Sequence, residues 1–429
     1  MSFIPYYIVV LFITITIDYF GGIWMEASTG KRRKYFLLVS ISSTVLVLAV
    51  FKYYNFFTGN INTLAQFIGW NYSIKSLMIA LPIGLSFHTF QSLSYVIEVY
   101  RGKQKAEKHF GIYSLYVMYY PQLVAGPIER PQNLLHQFRR NNRFRFQNFY
   151  RGLRLIVFGF FMKLVIADRL SIYVDSVYDN IGIQNGTSLA LATFFFSFQI
   201  YCDFAGYSSI AIGVSRVMGI NLMSNFRRPY LSKSLAEFWH RWHISLSTWF
   251  RDYLYIPLGG NKVKSKTRLC CNIMITFLIS GFWHGASWTF ITWGGLNGLY
   301  IITEKILSPV RQALSFIPKI INVICVFLLI NVSWIFFRSG SVSEGIVILK
   351  KIVHAQGKVF LPYDPEIFIY CCLSVFLISA IEIFYEFVYA QRRIRRNYLA
   401  FNNVFMLFLI VCIMLLGVFD GSQFIYFQF

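Results

Sequence analysis

Apolar positions gather into long runs at 3–20, 35–52, 77–98, 152–169, 186–218, 272–302, 320–337, 366–389 and 400–419, divided by short polar stretches. Most runs reach the ~20 residues that a helix needs to cross about 30 Å of hydrocarbon. The pattern predicts an all-α, polytopic membrane protein of about nine to eleven transmembrane helices, folded as one membrane-embedded domain over residues 1–429. The first run lacks the basic start, short apolar centre and small-residue cleavage site of a signal peptide, so it is read as a span.

Residues 227–260, "RRPYLSKSLAEFWHRWHISLSTWFRDYLYIPLGG", break the pattern. A cap-like Ser232 or Ser234 precedes Leu235, Phe238 and Trp239, and Trp242, Leu246, Trp249 and Tyr253 follow at helical spacing. Pro257 and Gly259-Gly260 end the stretch. His240, Arg241, Arg251 and Asp252 occupy the other side, so one amphipathic helix at the membrane interface is expected, with its aromatic face at headgroup level.

Composition agrees with a membrane protein. The 429 residues are 56% hydrophobic and only 14% charged, and the mean hydropathy is +0.53, too apolar for a soluble chain of this length. The net charge of +22 resides in blocks between apolar runs: "KRRK" 31–34, "RGKQKAEK" 101–108, "RRNNRFRF" 139–146, "KVKSKTR" 262–268 and "QRRIRR" 391–396. That is the positive-inside pattern, which argues for anionic lipid as the neighbour and against a nucleic-acid partner.

Placing every basic block inside puts the N-terminus, 53–75, 170–185, 338–365 and the tail "FDGSQFIYFQF" outside. Two apolar pieces, 111–128 and 272–302, must then leave and return on the same side. Glycine and proline stand where they would turn, at Gly126-Pro127 and at Gly281, Gly285, Gly294 and Gly295. A broken segment is allowed at membrane depth only where protein or water surrounds it, so these pieces are expected to line a cavity.

The second piece holds "GFWHGASWTF", 281–290. Twelve residues from Asn272 at ~1.5 Å each place His284 about 18 Å deep. An imidazole there is a functional candidate, the alternative being a neutral core histidine bonded to a carbonyl. His240 and His243 share a helix face in the expected helix, yet no third ligand stands at a usual spacing, so no metal site is predicted. His109, His136 and His354 fall in expected loops, and His88 on a helix, serving packing or a cavity wall. Asp203, inside a span, requires a partner or water, as part of a proton path or a structural bond. The seven cysteines lack CxxC spacing and are read as small core residues. No GxSxG elbow, Walker loop or dinucleotide fingerprint is present.

"FWHRWHISLSTWFRDYLYIPLGG", followed by "GFWHGASW", resembles the signature of the membrane-bound O-acyltransferases. "YYPQLVAGPIERPQNLLHQF" (119–138), "IYCDFAGYSSIAIGVSRVMGI" (200–220) and "SQFIYFQF" (422–429) resemble the alginate O-acetyltransferase branch. The resemblance implies a helical membrane fold around a central tunnel, with 227–302 as the catalytic core segment and an acyl donor entering from the cytoplasm. His284 matches the family's principal catalytic histidine, and His243 an upstream position where relatives carry histidine or asparagine. Asn297 stands where many relatives have histidine, and His240 where arginine is usual.

The implied activity is transfer of an acetyl group from cytoplasmic acetyl-CoA across a bacterial inner membrane to an exported polysaccharide. Acetyl-CoA is a co-substrate, with no permanently bound cofactor, and a separate periplasmic or extracellular partner of the SGNH-hydrolase type, or the glycan itself, receives the acetyl group. Arg241, Arg251, Lys262 and Lys264 are then candidates for the donor's phosphates, or ordinary inside charges. Trp242, Trp249, Trp283, Trp288 and Asn297 are candidates for the tunnel wall, or simple core packing. D-alanyl transfer from a carrier-protein thioester to teichoic acid, a transporter with a histidine gate and a membrane scaffold are the rival functions.

Overall fold

The structure, a computed structural model, describes residues 7–77, 82, 84–307, 318–389, 398–419 and 424. The basic block 391–396 and most of the tail lie outside the described residues. Every regular element among the described residues is helical. Five helical stretches among them are long and apolar enough to cross a membrane: Tyr7–Glu26, Gly30–Phe67, Gly186–Val217, Lys319–Arg338 and Pro365–Phe387, with a shorter apolar helix at Asn403–Leu416. Of the other runs, 152–169 continues helically through a widened turn at 161–167, and 272–302 is divided into two helices at Gly285–Ser287.

The chain packs as two compact units, residues 1–152 with 214–223, and residues 153–213 with 224–429. In the first, α1 (Tyr7–Glu26), α2 (Gly30–Leu48), α3 (Tyr54–Phe67) and α4 (Leu85–Tyr100) precede two short helices, α5 (Phe110–Val117) and α6 (Pro131–Phe138). Buried Asp18 on α1 accepts the hydroxyls of Ser92 and, at 3.0 Å, Thr44, both through Oδ2, which offsets part of the cost of burying that group. His88 is buried here, with Nε2 3.1 Å from Thr14 Oγ1. The 111–128 run forms only the eight-residue α5 and an irregular stretch. Its exit is pinned by Tyr116, whose hydroxyl donates to Glu129 O at 2.9 Å, and by the Glu129 carboxylate, which accepts from Met223 N. His136 and His354 stand on helices rather than in loops.

The second unit begins within α7 (Phe146–Phe160), widens through 161–167 and continues as α8 (Asp168–Tyr178) and α9 (Gly186–Val217), whose last four residues belong to the first unit. Asn185 caps α9 by accepting from Ser188 N at 3.0 Å. Lys163, in the widened turn, places its ammonium 2.8 Å from both Asp168 and Asp203. Asp203 therefore has a structural ion pair. Short helices α10 (Leu235–Arg241) and α11 (Ile244–Phe250) follow, then the hairpin α12 (Lys266–His284) and α13 (Trp288–Ile306), and finally α14 (Lys319–Arg338), α15 (Val342–His354), α16 (Pro365–Ile383) and α17 (Tyr398–Leu416).

The core of this unit is aromatic. Phe238 stacks on Trp242 at 5.5 Å, Trp242 meets Trp334 at 5.1 Å, and Trp334 stacks on Trp293 at 5.9 Å. Such pairs add about 0.5–1.5 kcal/mol each beyond area burial. In the α12–α13 hairpin, glycines bring backbone against backbone. A Cβ on Gly281 would sit 2.2 Å from Phe290 O, and one on Gly294 2.4 Å from Phe277 O. The sequence motif at 281–290 is thus the tip of a helical hairpin, with Ser287 capping the return helix.

Candidate active site

The single helix expected over 227–260 is two helices with a break. Ser234 and Glu237 form a reciprocal cap at the start of α10: Ser234 Oγ accepts from Glu237 N at 3.0 Å, and Glu237 Oε2 accepts from Lys233 N at 2.8 Å. Glu304 on α13 accepts from Leu235 N at 2.7 Å, adding negative charge at the same N-terminus. The helix ends after Arg241, and His243 adopts a left-handed backbone, φ 41 and ψ 56. That geometry costs about 1–3 kcal/mol for a residue with a side chain. It is held by the chain entering from α9, where Arg227 N donates to Arg241 O at 2.9 Å and Ile244 N to Asn225 O at 2.8 Å. Because the chain reverses here, Trp242 and Trp249 are buried in protein, and the expected headgroup-facing aromatic stripe does not form.

The break turns the His243 ring into the protein. It packs edge-on against Phe204 of α9 at 4.5 Å, and Nδ1 lies 3.1 Å from Asn225 Oδ1. Burial, and secondarily the neighbouring His284, hold its pKa well below the usual 6.5, so the imidazole is neutral at physiological pH.

His284 is the last residue of α12 and is almost wholly buried, its ring edge-on to Trp293 at 5.0 Å and to Phe337 at 5.6 Å. Both histidines line one cavity of about 510 Å³. Trp239, Trp242, Phe277 and Ser280 also line it, and exposed His240, Arg251, Asn261 and Lys305 lie on its rim. Lys305 Nζ and Tyr255 OH both donate to Asn261 Oδ1, at 2.6 and 2.8 Å. A mostly apolar interior that carries two imidazoles, with cationic side chains at its rim, suits an anionic ligand with a small reactive end.

The other residues singled out from the sequence are distributed unevenly. Arg251 is on the cavity rim, paired with Asp252 at 2.8 Å. Arg241 is outside the lining, donating to Glu237 at 2.6 Å and Glu386 at 2.9 Å. Lys262 and Lys264 are exposed and outside the lining. Of the four tryptophans, Trp242 lines the cavity. Trp249 is buried outside the lining, Trp283 is half-buried, and Trp288 is 56% exposed at the start of α13. Asn297 is fully buried within the hairpin, its amide donating to Trp293 O at 2.8 Å. Lys305 and Trp239, which line the cavity, and Asn225, which contacts His243, carry no signal of such a role within their own sequence segments.

Residues 109–340 match the membrane-bound O-acyltransferase family. The chain belongs to this family. Both histidines and the whole cavity lining fall within the matched region. Among its relatives, a probable alginate O-acetylase AlgI from Pseudomonas syringae pv. tomato is 39% identical over 335 residues, covering 77% of this chain. A peptidoglycan O-acetyltransferase from Helicobacter pylori is 33% identical over 379 residues, covering 82% of this chain and 71% of that protein. A teichoic acid D-alanyltransferase from Streptococcus thermophilus is 29% identical over 264 residues, or 54% of this chain and 63% of that protein. The chain spans 63% of the length of the Pseudomonas syringae relative.

Proposed function

We propose that this membrane-bound O-acyltransferase family member is an O-acetyltransferase of the bacterial inner membrane, carrying the acetyl group of cytoplasmic acetyl-CoA to an exported polysaccharide, directly or through a separate SGNH-hydrolase-type partner. The observation that carries the reading is the convergence of His243 and His284, from segments forty residues apart, on one cavity rimmed by Arg251 and Lys305. The relatives support acetyl over D-alanyl transfer, because the O-acetyltransferases align over more of the chain and at higher identity.

In the proposed reaction, acetyl-CoA lies with its phosphates at the Arg251–Lys305 rim and its thioester inside. His284 takes the proton of the acceptor hydroxyl as that oxygen attacks the thioester carbonyl. The tetrahedral intermediate collapses with cleavage of the C–S bond, and the proton passes from His284 to the departing thiolate. The products are the acetyl ester and free coenzyme A. A small group crosses through the protein while both large partners stay on their own sides.

His284→Ala in purified, folded protein should lower acetyl transfer by about 10²–10⁴-fold. Wild-type turnover by that variant would remove the base assignment. Turnover with a D-alanyl carrier-protein thioester and none with acetyl-CoA would transfer the protein to the rival activity.

A further inference from the structure

We infer that Asn225 is a positioning residue that fixes the tautomer of His243, placing the proton on Nδ1 and leaving Nε2 as an acceptor. His243 then receives a hydrogen bond or proton in the cavity and does not donate one to the thioester carbonyl. The inference rests on the acyl-transfer reading of the cavity, but its central measurement needs no turnover.

Asn225 lies between α9 and α10 and is 1% exposed. The orientation of its amide follows from its neighbours. The Ser245 backbone N–H, which is able only to donate, points at one amide atom from 3.2 Å, so that atom is the oxygen. The same oxygen accepts the Ser245 hydroxyl at 2.9 Å, and Nδ2 donates to Ser208 Oγ on α9 at 3.1 Å. Flipping the amide would set two N–H groups against each other in a buried site, at the cost of a lost bond and an unmet donor.

His243 Nδ1 is 3.1 Å from this oxygen. An oxygen of a primary amide has no proton to give, so the shared proton belongs to Nδ1. A neutral imidazole has one N–H, and Nε2 is therefore a lone pair. Ser245 Oγ also approaches Nδ1, at 3.5 Å, but its shorter contact is to Asn225. His243, Asn225, Ser245 and Ser208 are each at most 3% exposed, which leaves little room for water to substitute for either partner. The left-handed backbone at His243 and the perpendicular contact with Phe204 hold the ring in this orientation.

This changes what the second histidine does. An unprotonated Nε2 accepts from a hydroxyl, from an amide N–H of the donor or from an imidazole N–H. Stabilising a carbonyl oxygen requires a donor, which this tautomer lacks at that atom.

The test uses full-length protein labelled with 15N-histidine in nanodiscs, with the His243 signals identified by their loss in His243→Gln. Wild type is expected to show a protonated Nδ1 and an unprotonated Nε2 near neutral pH. A protonated Nε2 in the neutral ring overturns the inference. Asn225→Leu is expected to lose the single tautomer and to lower kcat about 10–100-fold, the effect of one lost buried hydrogen bond, with the KM for acetyl-CoA within about threefold. Asn225→Asp, which keeps an acceptor oxygen, should restore the Nδ1–H signal. An unaltered tautomer and kcat in folded Asn225→Leu overturns the inference. Where the leucine variant does not fold, Ser208→Ala frees the amide anchor alone and should broaden the same signals, and unaltered signals there count against the role. Absence of acetyl-CoA turnover by wild type would instead strike the acyl-transfer reading, while the tautomer stays measurable.

Discussion

Arg241 reaches across 145 positions of sequence to Glu386, donating to Oε1 at 2.9 Å. Arg228 holds the other oxygen of that carboxylate at 2.5 Å. The four-member cluster of Arg228, Arg241, Glu237 and Glu386 ties α10 to the widened helical turn Phe384–Tyr389 that follows α16, so Arg241 is engaged in structure. Arg241→Gln should lower stability by about 2–4 kcal/mol, since it leaves partly buried carboxylates without one of their cations. The KM for acetyl-CoA should change less than threefold. Thermal unfolding in detergent, together with donor kinetics on the surviving folded fraction, checks both halves.

The rim cations should behave in the opposite way. Arg251→Ala and Lys305→Ala are expected to raise the KM for acetyl-CoA about 5–10-fold each, with kcat and melting temperature nearly unchanged. Exposed charges act mainly through long-range attraction, so the difference from wild type should shrink as ionic strength rises and the Debye length falls to about 3 Å at 1 M salt. A salt titration of kcat/KM measures this. Equal penalties at low and high salt would mean that neither residue meets the donor's phosphates.

The hairpin that carries His284 depends on glycine at the points where its helices touch. Gly281→Ala would drive a methyl group to 2.2 Å from Phe290 O and should cost about 1–3 kcal/mol through forced separation of the helices, with a drop in kcat as His284 moves. Gly295 is the control, because a Cβ there meets only the Leu278 side chain, at 3.6 Å. Gly295→Ala should fold at least as well as wild type, helped by up to about 1 kcal/mol of helix propensity. Melting curves of the two variants decide the matter.

His243 lies in the turn between α10 and α11, outside the candidate spans, and burial depresses its pKa below 6.5. The sign of the linkage follows. Below pH 6.5 the unfolded chain binds a proton at this histidine while the native protein does not, so the native state loses stability as pH falls. Wild-type protein should therefore melt progressively lower between pH 7.5 and pH 5. His243→Asn should show a shallower slope over that interval. Parallel slopes for the two proteins would mean that His243 is protonated in the native state.

The helical nature of the chain and the bend at 281–290 are legible because each depends on local pattern, namely run length and glycine placement, and the same pattern places His284 at the bend. The break at Trp242-His243 was not legible. Aromatic spacing continues through it from Phe238 to Tyr253 as though one helix ran on, and what stops the helix is a pair of backbone bonds from residues 225–227. The same limit applies to charge. Nothing near Arg241 announces Glu386, and nothing near Lys163 announces that its ammonium is shared between Asp168 and Asp203. Nothing near Lys305 announces that the hairpin carries it to the cavity rim.

The positive φ at position 243 has an evolutionary corollary. Only glycine, asparagine, aspartate and histidine enter that region of backbone space at modest cost, so mutation at this site draws from a restricted alphabet whatever chemistry is required. Of those four, only histidine carries an imidazole, and only asparagine brings a neutral polar side chain of nearly the same reach. A lineage that keeps the turn can therefore exchange one for the other in a single step without rebuilding the loop, whereas lysine, glutamine or tyrosine would have to reshape the peptide before they were tried as reagents.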